Sequence, residues 1–136
     1  MARVNGGLGS IAFLKKDYSE AERLYLEQMS IGKEIGEIHH RQEALSNLGL
    51  VAGRIGEIDT AENYHTQALE LAKKMGTKSD MANSWENLGN VAKARGDLEK
   101  AEQMYSMSLD IVQEINDKRW EEKLQERISK LKSEEE

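Results

Sequence analysis

The sequence predicts an all-α fold: a helical solenoid of three helix hairpins closed by a C-terminal capping helix, seven helices in all. Three observations lead there. The 136 residues contain no proline and no cysteine, one Phe, and an abundance of Ala, Leu, Glu, Lys, Gln and Met, the residues of helices rather than strands. The motif Leu-Gly-x-(Ile/Val)-Ala occurs at Leu8–Ala12, Leu48–Ala52 and Leu88–Ala92, each copy 40 residues from the last. A second signature keeps the same register: Asp17 with Ala21-Glu22, Glu57 with Ala61-Glu62, and Asp97 with Ala101-Glu102. Internal repetition of this length is the mark of stacked supersecondary units.

The repeats are expected at 2–41, 42–81 and 82–115 of a single domain covering 1–136, with the capping helix at 116–132 and a frayed tail at 133–136. In the first repeat, Asn5, Gly6, Gly7 and Gly9 crowd the opening helix and weaken its first turns. In the second, Leu45, Leu48, Gly49, Ala52 and Ile55 form one helical face, and Gly56 offers the left-handed residue that ends a helix. Ala61, Tyr64, Ala68, Leu71 and Met75 make the stripe of the next helix, which Gly76 ends. The third repeat follows with Trp85, Leu88, Gly89 and Ala92, then Gly96, then Ala101, Tyr105, Leu109 and Val112. Met29, Leu69 and Leu109, and likewise Ile35, Met75 and Ile115, hold matching positions. Short connections make neighbouring helices antiparallel. Glycine inside a helix costs about 1 kcal/mol against alanine, so its recurrence points to close helix approach. From Asn116 the pattern changes, and Trp120, Leu124, Ile128 and Leu131 give one apolar face among charges, as a cap requires.

Trp85, Leu88, Gly89, Ala101 and Tyr105, together with Leu8, Gly9, Ala21 and Tyr25, resemble the tetratricopeptide repeat (TPR) family. Leu48, Gly49, Ala61 and Ala68 match in the middle repeat, where His65 fills the aromatic slot beside Tyr64 and is expected to be a half-buried packing residue. The usual terminal proline is missing, and the period of 40 is similar to the longer repeats of kinesin light chains and Leu-Gly-Asn-type spindle-orientation adaptors. The resemblance implies a right-handed superhelix whose first helices line a concave face. It also implies a non-enzymatic scaffold for protein partners.

The stripe on that face reads Glu43, Asn47, Leu50 and Arg54 in the second repeat, and Asn83, Asn87, Asn90 and Ala94 in the third. In the first it reads Arg3, Gly7, Ser10 and Leu14. Asparagine carries two donors and an acceptor, so Asn47 and Asn87 suit a peptide backbone. The resemblance implies such an asparagine ladder at these positions, with Glu43, Asn47, Leu50, Arg54, Asn83, Asn87 and Asn90 as the peptide-binding set. A carboxylate clamp of the chaperone-cofactor kind is not matched: among Gly6, Ser10, Asn47, Asn83 and Asn87 only Asn47 fits. The alternative function is a structural or regulatory segment of a larger signalling protein.

Catalysis has no support in the sequence. Without cysteine there is no thiolate nucleophile and no disulfide. His39, His40 and His65 lack the i, i+4 spacing of a zinc pair, and no phosphate loop is present. No metal or cofactor is expected. With 25 acidic and 19 basic residues the net charge is −6, which argues against nucleic acid or an anionic membrane as partner. No signal segment or stretch of membrane-spanning length occurs, and a cytoplasmic location is expected. Ile11, Phe13 and Leu14 have no helix before them in the sequence to cover them, so either the chain is a segment of a longer array or that surface meets another chain; a self-contact through the first helix pair is expected.

Overall fold

The computed structural model describes residues 2–34 and 36–135, with no side-chain description for residues 2–4 and 135. Ile35, and the side chain of Arg3, therefore lie outside the described residues. Within them the protein is wholly helical: α1 (Ala2–Leu14), α2 (Tyr18–Glu34), α3 (Ile38–Arg54), α4 (Ile58–Met75), α5 (Lys78–Ala94), α6 (Leu98–Glu114) and α7 (Lys118–Glu135). The chain divides into two compact units, Met1–Met75 and Gly76–Glu136.

The turns explain where the helices begin. A residue with positive φ recurs every 20 positions: Lys16, Gly36, Gly56, Gly76, Gly96 and Asn116. Each completes a Schellman-type end wherever the following amide reaches back across the last turn. Asp17 N donates to Ala12 O at 2.9 Å, Glu57 N to Ala52 O at 2.9 Å and Asp97 N to Ala92 O at 3.0 Å. Helices α3 and α5 therefore start at Ile38 and Lys78. Their N-cap residues, Glu37 and Thr77, make no side-chain cap bond, so no capping pattern marked these starts. Asp97 does cap α6, accepting from Lys100 N at 3.1 Å.

In the first unit Ala12, Ala21, Leu24, Tyr25, Leu48 and Val51 form one core, and Leu45, Ala68 and Leu71 a second; Met29 and Tyr64 pack against both. In the second unit the core is Ala82, Ala92, Ala101, Tyr105, Val112, Leu124 and Leu131. Leu124 and Leu131 of α7 are fully buried, and Trp120 and Ile128 pack beside them, the apolar face read from the sequence. Each buried leucine contributes about 2 kcal/mol. The helix carries on through Ser133–Glu135, where a frayed tail was expected.

Helix α1 also runs unbroken through its glycines. A Cβ on Gly9 would stand 2.6 Å from Tyr25 Cε1, and one on Gly6 would stand 2.7 Å from Gln28 Nε2. Those glycines make room for Tyr25 and Gln28, buried side chains that α2 turns toward α1. Phe13 is not bare either: it packs edge-on to Tyr18, ring centroids 5.6 Å apart, beneath the Arg54 guanidinium at 5.4 Å.

Candidate functional site

The ring-on-glycine contact recurs in every hairpin and orients the first helix of each. A Cβ on Gly89 would lie 2.6 Å from Tyr105 Cδ1 and Cε1, and one on Gly49 would lie 2.6 Å from Nδ1 and Nε2 of His65. The ring edge then meets the residue following the glycine. Tyr25 donates its hydroxyl to Ser10 Oγ at 3.3 Å. The Tyr105 hydroxyl donates to Asn90 Oδ1. In the middle hairpin that position is Leu50, which offers no acceptor, and the ring is a histidine with no hydroxyl to place. His65 is 2 % exposed, so it is buried rather than half-buried, and its Nδ1 finds no partner. Burial lowers its pKa from 6.5 to about 4, leaving the imidazole neutral.

On α3 the expected stripe is presented outward. Leu50 is 39 % exposed, Arg54 is exposed, and Glu43 and Asn47 are half-buried. Glu43 accepts from Gln28 Nε2 at 3.5 Å and lies 4.0 Å from His39 Nε2. Among the described residues Asn47 has no side-chain hydrogen bond recorded. Its amide stands on the same face as a carboxylate, an apolar contact and a guanidinium.

On α5 the picture differs. Asn83 is exposed, beside a depression of about 380 Å³ that Glu86, Trp120 and Lys123 also line. Asn87 is buried at 7 % exposure, with its Nδ2 donor unpartnered. Asn90 is half-buried and its Oδ1 is engaged, accepting from Arg127 Nη1 at 2.8 Å as well as from Tyr105. Its acceptor is therefore committed within the chain rather than open along the stripe.

Sequence reasoning passed over Glu86. This carboxylate is 6 % exposed and is satisfied by α7: Trp120 Nε1 donates to its Oε1 at 2.9 Å, Arg127 Nε lies 3.4 Å and Lys123 Nζ 3.7 Å from its Oε2. A buried carboxylate held this way by three donors ties α7 to α5. The signal available was a glutamate in the register position that Gly6 and Ser46 occupy in the other repeats.

No group of three or more potential metal ligands comes together among the described residues. No helix among them is long and apolar enough to cross a membrane.

Comparison with known proteins agrees with this architecture. None of the curated proteins matches the sequence. The apo form of RapI superposes with a TM-score of 0.91 at 15% identity, covering 98% of this chain and 49% of that one, so the chain spans about half its length. The TPR domain of Arabidopsis FLU gives 0.77 at 18% identity, covering 82% of this chain and 94% of that one. The N-terminal domain of stress-induced protein-1 from C. elegans gives 0.72 at 18% identity, covering 96% and 94%. At these identities the likeness is one of fold. The sequence itself matches the tetratricopeptide repeat profile over residues 1–74, more than half of the chain, and again over 84–119. With glycine-on-ring hairpins repeating at the family's Leu-Gly and aromatic positions, the chain belongs to the tetratricopeptide repeat family.

Proposed function

We propose that the protein is a non-enzymatic scaffold for protein partners, in which the outward stripe of α3 in the first unit holds an extended segment of a partner; the stripe of α5 in the second unit is considered by itself. The TPR fold is in general a protein–protein interaction scaffold. The observation that carries the finer reading is Asn47, a half-exposed amide whose side chain has no recorded partner among the described residues, flanked on one helical face by Glu43, Leu50 and Arg54. Such an amide pairs with both the N–H and the C=O of an extended backbone. The flanking residues add one carboxylate, one apolar and one cationic contact. On α5 the unpaired donor of Asn87 supports the same use, since a buried donor without an acceptor costs about 1–3 kcal/mol that a ligand carbonyl would recover once the amide turns outward. Asn83 and Asn90 flank it, with Asn90 the less available.

Asn47→Ala/Asn87→Ala in an unbiased pulldown with mass spectrometry separates this reading from a purely structural or regulatory segment of a larger protein. Loss of captured partners with the fold intact supports the scaffold. An unchanged set favours the structural role.

A further inference from the structure

The outward stripe of α3 carries opposite charges at its two ends, and each is held from a different neighbouring helix. Glu43, whose side chain is 46 % exposed, accepts from Gln28 Nε2 of α2 at 3.5 Å. Gln28 is itself fully buried, so the carboxylate is anchored from below. Arg54 stands three turns further along the same helix, about 16 Å away at the rise of an α-helix. Its guanidinium lies over the Phe13 ring of α1, 5.4 Å from the centroid. Stacking on a ring face fixes the guanidinium plane and leaves its N–H edge for a carboxylate, which it takes two-pronged. Among the described residues Arg54 makes no ion pair, and Glu43 has only His39 Nε2, 4.0 Å away. Between the two charges lie half-buried Asn47 and Leu50, the latter 39 % exposed.

We propose that this stripe selects an extended partner segment bearing a basic residue against Glu43, an apolar residue on Leu50 and an acidic residue against Arg54, a selection that rests on the scaffold function. Both protein charges are fixed before binding, by α2 and α1, so little side-chain freedom is lost when a partner's charges meet them. The exposed pairs of Arg23 with Glu20 and Glu27 differ, since those charges already satisfy one another. A uniformly acidic segment gains at Arg54 and loses at Glu43, and a uniformly basic one does the reverse. The net charge of −6 draws basic segments in general; the uncompensated guanidinium is what demands a carboxylate as well. In an extended chain, residues four apart share a face and stand about 13 Å from each other, with the residue midway on that face too. The long side chains of lysine and arginine span the remaining few ångströms.

The probes are four fluorescein-labelled synthetic peptides, titrated with the intact 136-residue protein and read by fluorescence anisotropy. The first carries Lys-Thr-Leu-Thr-Asp within uncharged flanks. The others replace Asp by Lys, Lys by Asp, or both by Gln. The mixed peptide is expected to bind about tenfold or more tighter than the other three. Arg54→Glu is expected to move the preference to the two-lysine peptide, and Glu43→Lys to the two-aspartate peptide. Melting temperatures check that the variants fold. Should Glu43→Lys fail that check, Glu43→Gln, which can still accept from Gln28, is expected to bind the mixed and two-aspartate peptides alike. Equal affinity for all four peptides overturns the charge selection; if Asn47→Ala then abolishes binding, the scaffold that holds a backbone stands without it. An unchanged preference in a folded Arg54→Glu protein also overturns the selection. So does saturable binding by none of the four, a result that leaves the scaffold to be decided by the pulldown.

Discussion

Gly49 and Gly53 lie four residues apart on α3 and answer to opposite demands. A methyl group on Gly49 would press into the His65 ring, whereas one on Gly53 would meet nothing within 4 Å. Relieving a helical glycine is worth about 1 kcal/mol, and overpacking a core costs about 1–3 kcal/mol. Gly53→Ala therefore raises the urea midpoint, and Gly49→Ala lowers it by an amount equivalent to about 1–2 kcal/mol. His65 adds a pH dependence whose sign follows from its neutrality. Its folded pKa of about 4 lies below the ordinary 6.5, so the unfolded chain takes up a proton that the folded one refuses. The stability it contributes is complete above pH 6.5 and is lost as the pH falls toward 4, by about 3 kcal/mol at most. His65→Phe, which keeps a ring on Gly49 and brings no hydroxyl to Leu50, removes that component. Urea midpoints of the two proteins, compared across that pH range, then converge at the top and separate below, with the Phe variant the more stable in acid.

At the scale of the element, helix boundaries are set by the left-handed residue at each end more than by capping side chains. Lys16 holds φ 63° where four of the six turns use glycine, a conformation that costs an L-residue about 1 kcal/mol. Lys16→Gly is expected to stabilise the α1–α2 hairpin by somewhat less than that, because glycine also loosens the unfolded chain, and a thermal melt reads the shift. Capping separates two further positions. Asp97→Ala removes the bond to Lys100 N and costs about 1 kcal/mol, while Thr77→Ala, with no such bond to lose, leaves the melt nearly unchanged. Helix α7 illustrates where sequence periodicity stops short. Its apolar face was legible, because Leu124 and Leu131 had to meet α6. Its length past Lys132 was not, since charged residues mark neither the end nor the continuation of a solvated helix. Asn116 conceals that α7 starts in register with α3 and α5, because an asparagine in the left-handed region does the work that Gly36 and Gly76 do elsewhere.

Across the molecule, the repeat made the architecture readable. The Leu-Gly pair and the ring 16 residues after its glycine have to recur together, because each hairpin closes by seating that ring on that glycine. The binding stripes were readable only as positions. Spacing placed Asn47, Asn87 and Asn90 on matching turns, yet their environments diverge with their neighbours: Leu50 leaves the middle stripe open, whereas Tyr105 and Arg127 occupy Asn90. Asn87 is buried where an open ladder was expected. Glu86 escaped notice because its meaning depends on Trp120, Lys123 and Arg127, which lie more than 30 residues away on a helix outside the repeat pattern. The central claim is that the Asn47 amide of α3 holds a partner's backbone, with Asn87 of α5 able to act likewise within its own unit. Its most direct test is the affinity of the captured partner segment, as a synthetic peptide, for the parent and for Asn47→Ala/Asn87→Ala. Removing Asn87 deletes an unpaired buried donor and Asn47 has no recorded bond to lose, so the double variant keeps the parent circular dichroism and melt. The account predicts that its affinity falls about tenfold or more; equal affinity for a variant that melts like the parent would contradict it.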